Sequence, residues 1–132
     1  MAEHGSPRAN DELRARLERL AGGLPEAMVE AGQHSAFRVR KKTFGYYLDD
    51  HHGDGIVALC VKAAPGQQQA LVGGQPERYL VPAYLGAKGW VSLRLDLGAP
   101  DWAEIEELLL DSYRLVAPKT LAAKITGGPA GR

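Results

Sequence analysis

The chain has 132 residues, 45% of them hydrophobic and 24% charged, with 16 basic and 16 acidic residues and a formal net charge of zero. That length fits one domain able to bury a core without staples, and no apolar run approaches the ~20 residues of a membrane span. A neutral total weighs against strong non-specific nucleic-acid binding, which goes with a basic domain; the single cysteine, Cys60, cannot pair within the chain and suits a reduced, cytoplasmic setting.

Residues 1–9 are small and polar, without the apolar stretch of a secretory signal, and read as a disordered tail. Asn10 is placed to cap a helix in which Leu13, Leu17, Leu20 and Leu24 recur at helical spacing. Gly22-Gly23 and Pro25 break it, and Ala27, Met28 and Ala31 read as a short second turn of helix.

Residues 37–48, FRVRKKTFGYYL, set Arg38, Arg40, Lys41 and Lys42 among four aromatics, with no acidic residue. With Arg40-Lys41 as a two-residue turn, Val39 faces Lys42 and Phe37 faces Phe44, so the phenylalanines form a cross-strand pair on one side. Such a hairpin docks on a core and still offers charge to an anionic partner, although a solvated charged edge that discourages aggregation has the same sequence. Tyr46 and Tyr47 point to opposite faces, so one of them belongs to the core.

Asp49-Asp50-His51-His52-Gly53-Asp54 is a polar loop; its adjacent histidines lack the spacing of a closed metal site, and no metal is expected. Residues 56–62 are apolar on both faces and read as a central strand that buries Cys60 as an inert thiol. Gln67 to Val72 suits a short helix stopped by Gly73-Gly74, and Arg78 to Pro82 an edge strand. From Trp90 to Leu97 the pattern alternates, with Val91, Leu93, Leu95 and Leu97 on one face and Trp90, Ser92, Arg94 and Asp96 on the other.

Asp101 then opens a helix with Glu104 in capping-box position, and Trp102, Ile105, Leu109, Ser112, Tyr113 and Val116 form its apolar stripe. Residues 101–111 carry acidic side chains and no basic ones. Pro118 starts a short last helix, and residues 126–132 read as a second disordered tail. The expected core comprises Leu17, Phe37, Phe44, Leu59, Val91, Leu93, Leu95, Ile105, Leu109 and Tyr113. Ser112, Tyr113 and Lys119 do not make a catalytic set, because Ser112 and Tyr113 fall at the buried stripe and no nucleophile, base and orienter converge.

Several segments together resemble one family. Lys42 and Phe44 after the first turn, Gly89-Trp90-Val91, Asp101-Trp102, and Ser112-Tyr113-Arg114 running on to Lys119 occur in the order found in the MmcQ/YjbR family, over residues 10–125. The resemblance implies one α+β domain similar to the CyaY-like and secretion-chaperone-like folds. Its expected order is α-βββ-α-ββ-α, with an antiparallel sheet of about five strands, helices on one face and the other face open. It brings no catalytic residues and no cofactor.

It also implies DNA binding by a "double wing" of two β-hairpins. Arg38, Arg40, Lys41 and Lys42 are the candidate contacts on the first wing, with Lys88 and Arg94 on the second and double-stranded DNA as the leading partner of a monomeric protein. The resemblance also implies relatives that act near DNA-damaging compounds, which suggests a second reading. In it, Trp90 and Tyr84 stack a planar small molecule on the open face, unless Trp90 serves packing. A third reading is a protein-interaction module.

Overall fold

Leucines at helical spacing give helix α1 (Pro7–Gly22) an apolar stripe, and Leu17 and Ala21 are fully buried from it. This is seen in a computed structural model of the protein, which describes residues 7–50 and 53–125. The helix begins at Pro7, so Asn10 lies inside its first turn rather than at its cap. The tails expected at residues 1–6 and 126–132 lie outside the described residues.

The segment after the glycines is a strand, β1 (Ala27–Ala31), and not the expected helical turn. It pairs antiparallel with β2 (Ser35–Val39) in the register Ala27↔Val39 to Ala31↔Ser35. Five residues are too few to hold a helix alone, whereas β2 offers a free ladder edge, and pairing overrides the helical preference of Ala and Met. Gly22 suits this crossing, since a Cβ there would come within 3.3 Å of Val29 Cγ2.

Strands β3 (Lys42–Asp49), β4 (Val57–Lys62), β5 (Tyr79–Leu80) and β6 (Trp90–Arg94) complete an antiparallel sheet ordered β1-β2-β3-β4-β6-β5. The fold is α+β with six strands, one more than expected. Helix α2 (Gln67–Gly74) connects β4 to β5, and helices α3 (Trp102–Val116) and α4 (Lys119–Ala122) end the described chain. Strand β6 stops at Arg94, so Leu97 leaves the core face and is 48% exposed. All ten expected core residues are buried, in one cluster between the sheet and the face covered by α1 and α3.

The first hairpin turns at Arg40-Lys41 as expected, but its register shifts after Arg38↔Thr43, and Phe37 pairs with Gly45. Phe44 is therefore the extra residue of a β-bulge rather than the partner of Phe37. A Cβ at position 45 would sit 3.0 Å from Phe37 Cδ2, so the Phe37 ring would have to give, and 3.7 Å from Leu109 Cδ2 of α3, an ordinary contact. The bulge still delivers both rings to the core, 6.3 Å apart.

Ser112 of α3 repairs the ladder where it is disturbed. Its hydroxyl donates to the Phe44 carbonyl at 2.6 Å and accepts from the Lys62 amide at 3.0 Å. Next to it, Tyr113 stacks edge-on against Phe44 at 5.4 Å and donates its hydroxyl to the Pro25 carbonyl at 2.7 Å. Asp101 caps α3 by accepting from the Ala103 and Glu104 amides. Glu104 does not close the capping box; it turns to Arg78 and the Tyr79 hydroxyl, tying the helix start to edge strand β5.

Candidate nucleic-acid interface

Sheet register decides where the segregated charges go. The β2–β3 turn carries Arg40 and Lys41, with Lys42 opening β3. Strand β4 runs antiparallel to β3 and reaches this same end at Lys62, which pairs with Trp90. Lys88 closes the short 3-10 turn just before Trp90. Lysines far apart in sequence thus gather at one end of the sheet. The opposite end holds Asp49, where β3 finishes, together with Asp50 and Asp54 of the following loop, and Asp96 after β6. Helix α3 starts toward that acidic end and finishes, at Ser112 and Tyr113, against the cationic one.

Within the cationic group the partners differ. Arg40 makes a two-pronged ion pair with Glu26, Nε–Oε1 2.5 Å and Nη2–Oε2 3.0 Å. The hydrogen bond from Arg40 holds the Glu26 carboxyl below the usual carboxylate range, helped by the charge of Lys124. Arg38 lies 3.3 Å from both oxygens of Glu30 on β1, and its Nε is enclosed without an acceptor among the described residues. Lys41, Lys42, Lys62 and Lys88 make no ion pair among the described residues. Arg94 stands at the other end of the sheet, held by both oxygens of Asp96 at 3.0 Å, and does not join the group.

The tip of the hairpin is strained. Arg40 and Lys41 both adopt positive φ, 51° and 71°. Turns of this hand favour Asn-Gly, and a left-handed residue with a Cβ costs roughly 1–2 kcal/mol. Backbone strain of this kind collects at functional sites.

The sheet's outer face is less open than expected. Alternation does turn Trp90 away from the helices, but residues 82–85 lie over this face of the sheet and Trp90 is only 7% exposed, with its ring 5.8 Å from that of Tyr46. The covering segment is pinned by Gln68 of α2, whose amide donates to the carbonyls of Gly86 at 2.8 Å and Trp90 at 2.6 Å. A Cβ on Gly86 would overlap Val81, so this fold-back requires glycine. Trp90 is therefore a packing residue and not an exposed stacking platform.

Tyr84, in the same segment, is 82% exposed, with φ +65°. Beneath it a cleft of ≈ 240 Å³ lies between the segment and the sheet, lined by Tyr46, Leu48, Cys60, Pro82, Tyr84 and Leu85. A second cleft of ≈ 200 Å³ shares Leu48, Pro82 and Ala83 with it. Burial pushes the Cys60 thiol up to about 11, against a smaller opposing effect of a hydrogen bond with Ser92.

A family model described as YjbR matches residues 22–115. The chain belongs to the YjbR family. Among solved structures, the crystal structure of Deinococcus radiodurans protein DR2400, a protein with the family-model domain DUF419, is similar with a TM-score of 0.62 at 24% identity. The likeness covers 93% of this chain and 84% of that one, and shows the fold. No curated protein matches the chain.

The YjbR match spans the basic hairpin, the folded-back segment and α3 up to Leu115. Three contributors to this candidate site had no place among the sequence candidates. Lys62 reads as the end of an apolar strand, Glu26 follows the helix-breaking Pro25 with no role assigned, and Gln68 is one of three consecutive glutamines with nothing local to single it out. Of the other polar motifs, Ser112 and Tyr113 spend their hydroxyls on backbone carbonyls. Among the described residues no three His, Cys, Asp or Glu side chains are grouped to hold a metal; His51 and His52 lie outside them.

Proposed function

We propose that this YjbR-family protein is a non-enzymatic cytoplasmic DNA-binding protein that holds the phosphate backbone at the cationic end of its sheet. The observation that carries this reading is the convergence of Lys41, Lys42, Lys62 and Lys88 at the end remote from the Asp49–Asp54 loop. Phosphate contact needs mobile positive charge within reach and no base-specific geometry. A molecule of zero net charge orients toward a polyanion when its charges are separated end to end. The ion pairs to Glu26 and Glu30 restrain the two arginines, so the lysines supply most of the contact. Among the described residues no helix is long and apolar enough to cross a membrane.

The test is anisotropy with a labelled generic duplex at low salt, followed by a salt titration. A Kd near micromolar, weakening with a log–log slope of about −3 to −4, matches four lysine–phosphate contacts. Loss of that slope on replacing Lys41, Lys42, Lys62 and Lys88 by alanine would support the site. Unaltered binding by this variant would remove it.

A second reading is a small-molecule binding protein that uses the ≈ 240 Å³ cleft for a planar compound. Its apolar lining with few polar groups is the usual character of a ligand pocket. Because the Trp90 ring lies 5.8 Å from Tyr46, a ligand seated there would quench Trp90 emission. No quenching by planar DNA-active compounds would count against this reading.

A further inference from the structure

The cationic end and the outer-face cleft are neighbours. Lys62 follows Cys60 by two residues on β4, hence on the same side of the sheet and about 7 Å along it, and Cys60 lines the cleft. Lys88 follows Leu85, another lining residue, by three positions through the 3-10 turn. Tyr46 joins the two regions, since it pairs with Cys60 and its ring meets Trp90, the partner of Lys62. The cleft thus has an apolar interior, and each of the two elements that border it carries a lysine at the cationic end of the sheet.

The second observation is Tyr84. A bulky aromatic at φ +65° is an outlier, and a ring 82% exposed is not kept there for core packing. Strain and exposure coincide at the mouth of the cleft. Paired bases present no free face to such a cleft. An unpaired base does, and it carries a phosphate on either side.

We infer that the cleft receives an unpaired base of single-stranded DNA, stacked on Tyr84, with the adjoining phosphates at Lys62 and Lys88. The inference rests on the DNA reading above and adds a preference for unpaired nucleotides. Aromatic rings flanked by cations bind single strands in this way with little regard for sequence, because every base has a flat π-face.

The test compares three labelled probes at low salt: a single strand of roughly 12 nucleotides, within the usual ~4–16-nucleotide site sizes, the matching duplex, and the same single strand with its central bases removed. The expected result is about tenfold tighter binding of the intact strand than of the duplex or the abasic strand. Tyr84→Ala should abolish that difference and leave duplex binding unchanged, while Tyr84→Phe should retain it; an unchanged Tm shows that the variants fold. Equal binding of intact and abasic strands, or an intact-strand affinity indifferent to Tyr84→Ala, would overturn the base pocket while salt-sensitive duplex binding leaves the backbone site standing. Failure of all three probes to bind would overturn both. Quenching of Trp90 by free planar compounds, with no strand discrimination, would assign the cleft to small molecules and also overturn the inference.

Discussion

Glu26 holds Arg40 across the tip of the basic hairpin through two hydrogen bonds, 2.5 and 3.0 Å long. The carboxylate comes from the residue that leads into β1, at φ 57°, and it cancels a charge the hairpin would otherwise offer. Glu26→Gln should therefore strengthen duplex binding at low salt about threefold and steepen the log–log salt slope by about 0.9, one added phosphate contact. Acid acts in the same direction. The Glu26 carboxyl titrates below its ordinary range, so the pair is intact at neutral pH and its contribution to stability is lost as pH falls through that lowered value. An unchanged slope in the variant would show that Arg40 does not reach DNA even when released.

Lys41→Gly separates stability from function. At φ +71° glycine removes a left-handed strain of about 1–2 kcal/mol, partly offset by the greater entropy of its unfolded chain. The expected outcome is a gain of about 1 kcal/mol in urea unfolding together with weaker DNA binding. A variant that is no more stable would contradict the strain argument.

Ser112→Ala probes the bulge. It leaves the Phe44 carbonyl and the Lys62 amide without their shared partner, at a cost of about 1–3 kcal/mol. DNA affinity per folded molecule should be unchanged, because Ser112 lies beneath the sheet and the lysines stand at its end. A loss of binding at full folding would give Ser112 a role beyond the ladder.

Alkaline stability should fall from pH 9 upward. Cys60 titrates near its ordinary value of 9.0 when unfolded and at about 11 when folded. Its contribution is present below pH 9 and lost as pH rises through 11. Burial likewise raises Tyr47 from 10.0 to about 12 and lifts Tyr79 and Tyr113, so their losses begin at pH 10, overlap that of Cys60 and continue above it. Cys60→Ala should move the onset of the fall from pH 9 to pH 10, as read by Tm between pH 8 and 12. In the native protein near pH 8, thiol reagents should label Cys60 slowly, because the thiol is buried and its pKa is raised.

Elements governed by local rules were legible in the sequence. The period of α1 and α3, the Asp101 cap, the two-residue turn at Arg40-Lys41 and the in–out parity of Val91 and Leu93 each depend on residues a few positions apart. Misreadings arose where a distant partner decides. Ala27–Ala31 is a strand because β2 lies beside it, and Glu104 leaves its capping position because Tyr79 of the edge strand and Arg78 just before it claim it. Parity turned Trp90 outward correctly but is silent about what covers the outer face.

By itself the sequence determined ten of the buried residues and the presence of a basic hairpin and an acidic helix, since periodicity and composition are properties of neighbouring residues, and it carried the family resemblance that implied the α+β class. Only the tertiary structure decided that Lys41, Lys62 and Lys88 share one end of the sheet, that Glu26 and Glu30 quiet the hairpin arginines, and that Gln68 pins a segment over Trp90 while leaving Tyr84 in solvent. Those relations follow from strand register and from side-chain bonds across long sequence separations, such as the 22 residues between Gln68 and Trp90.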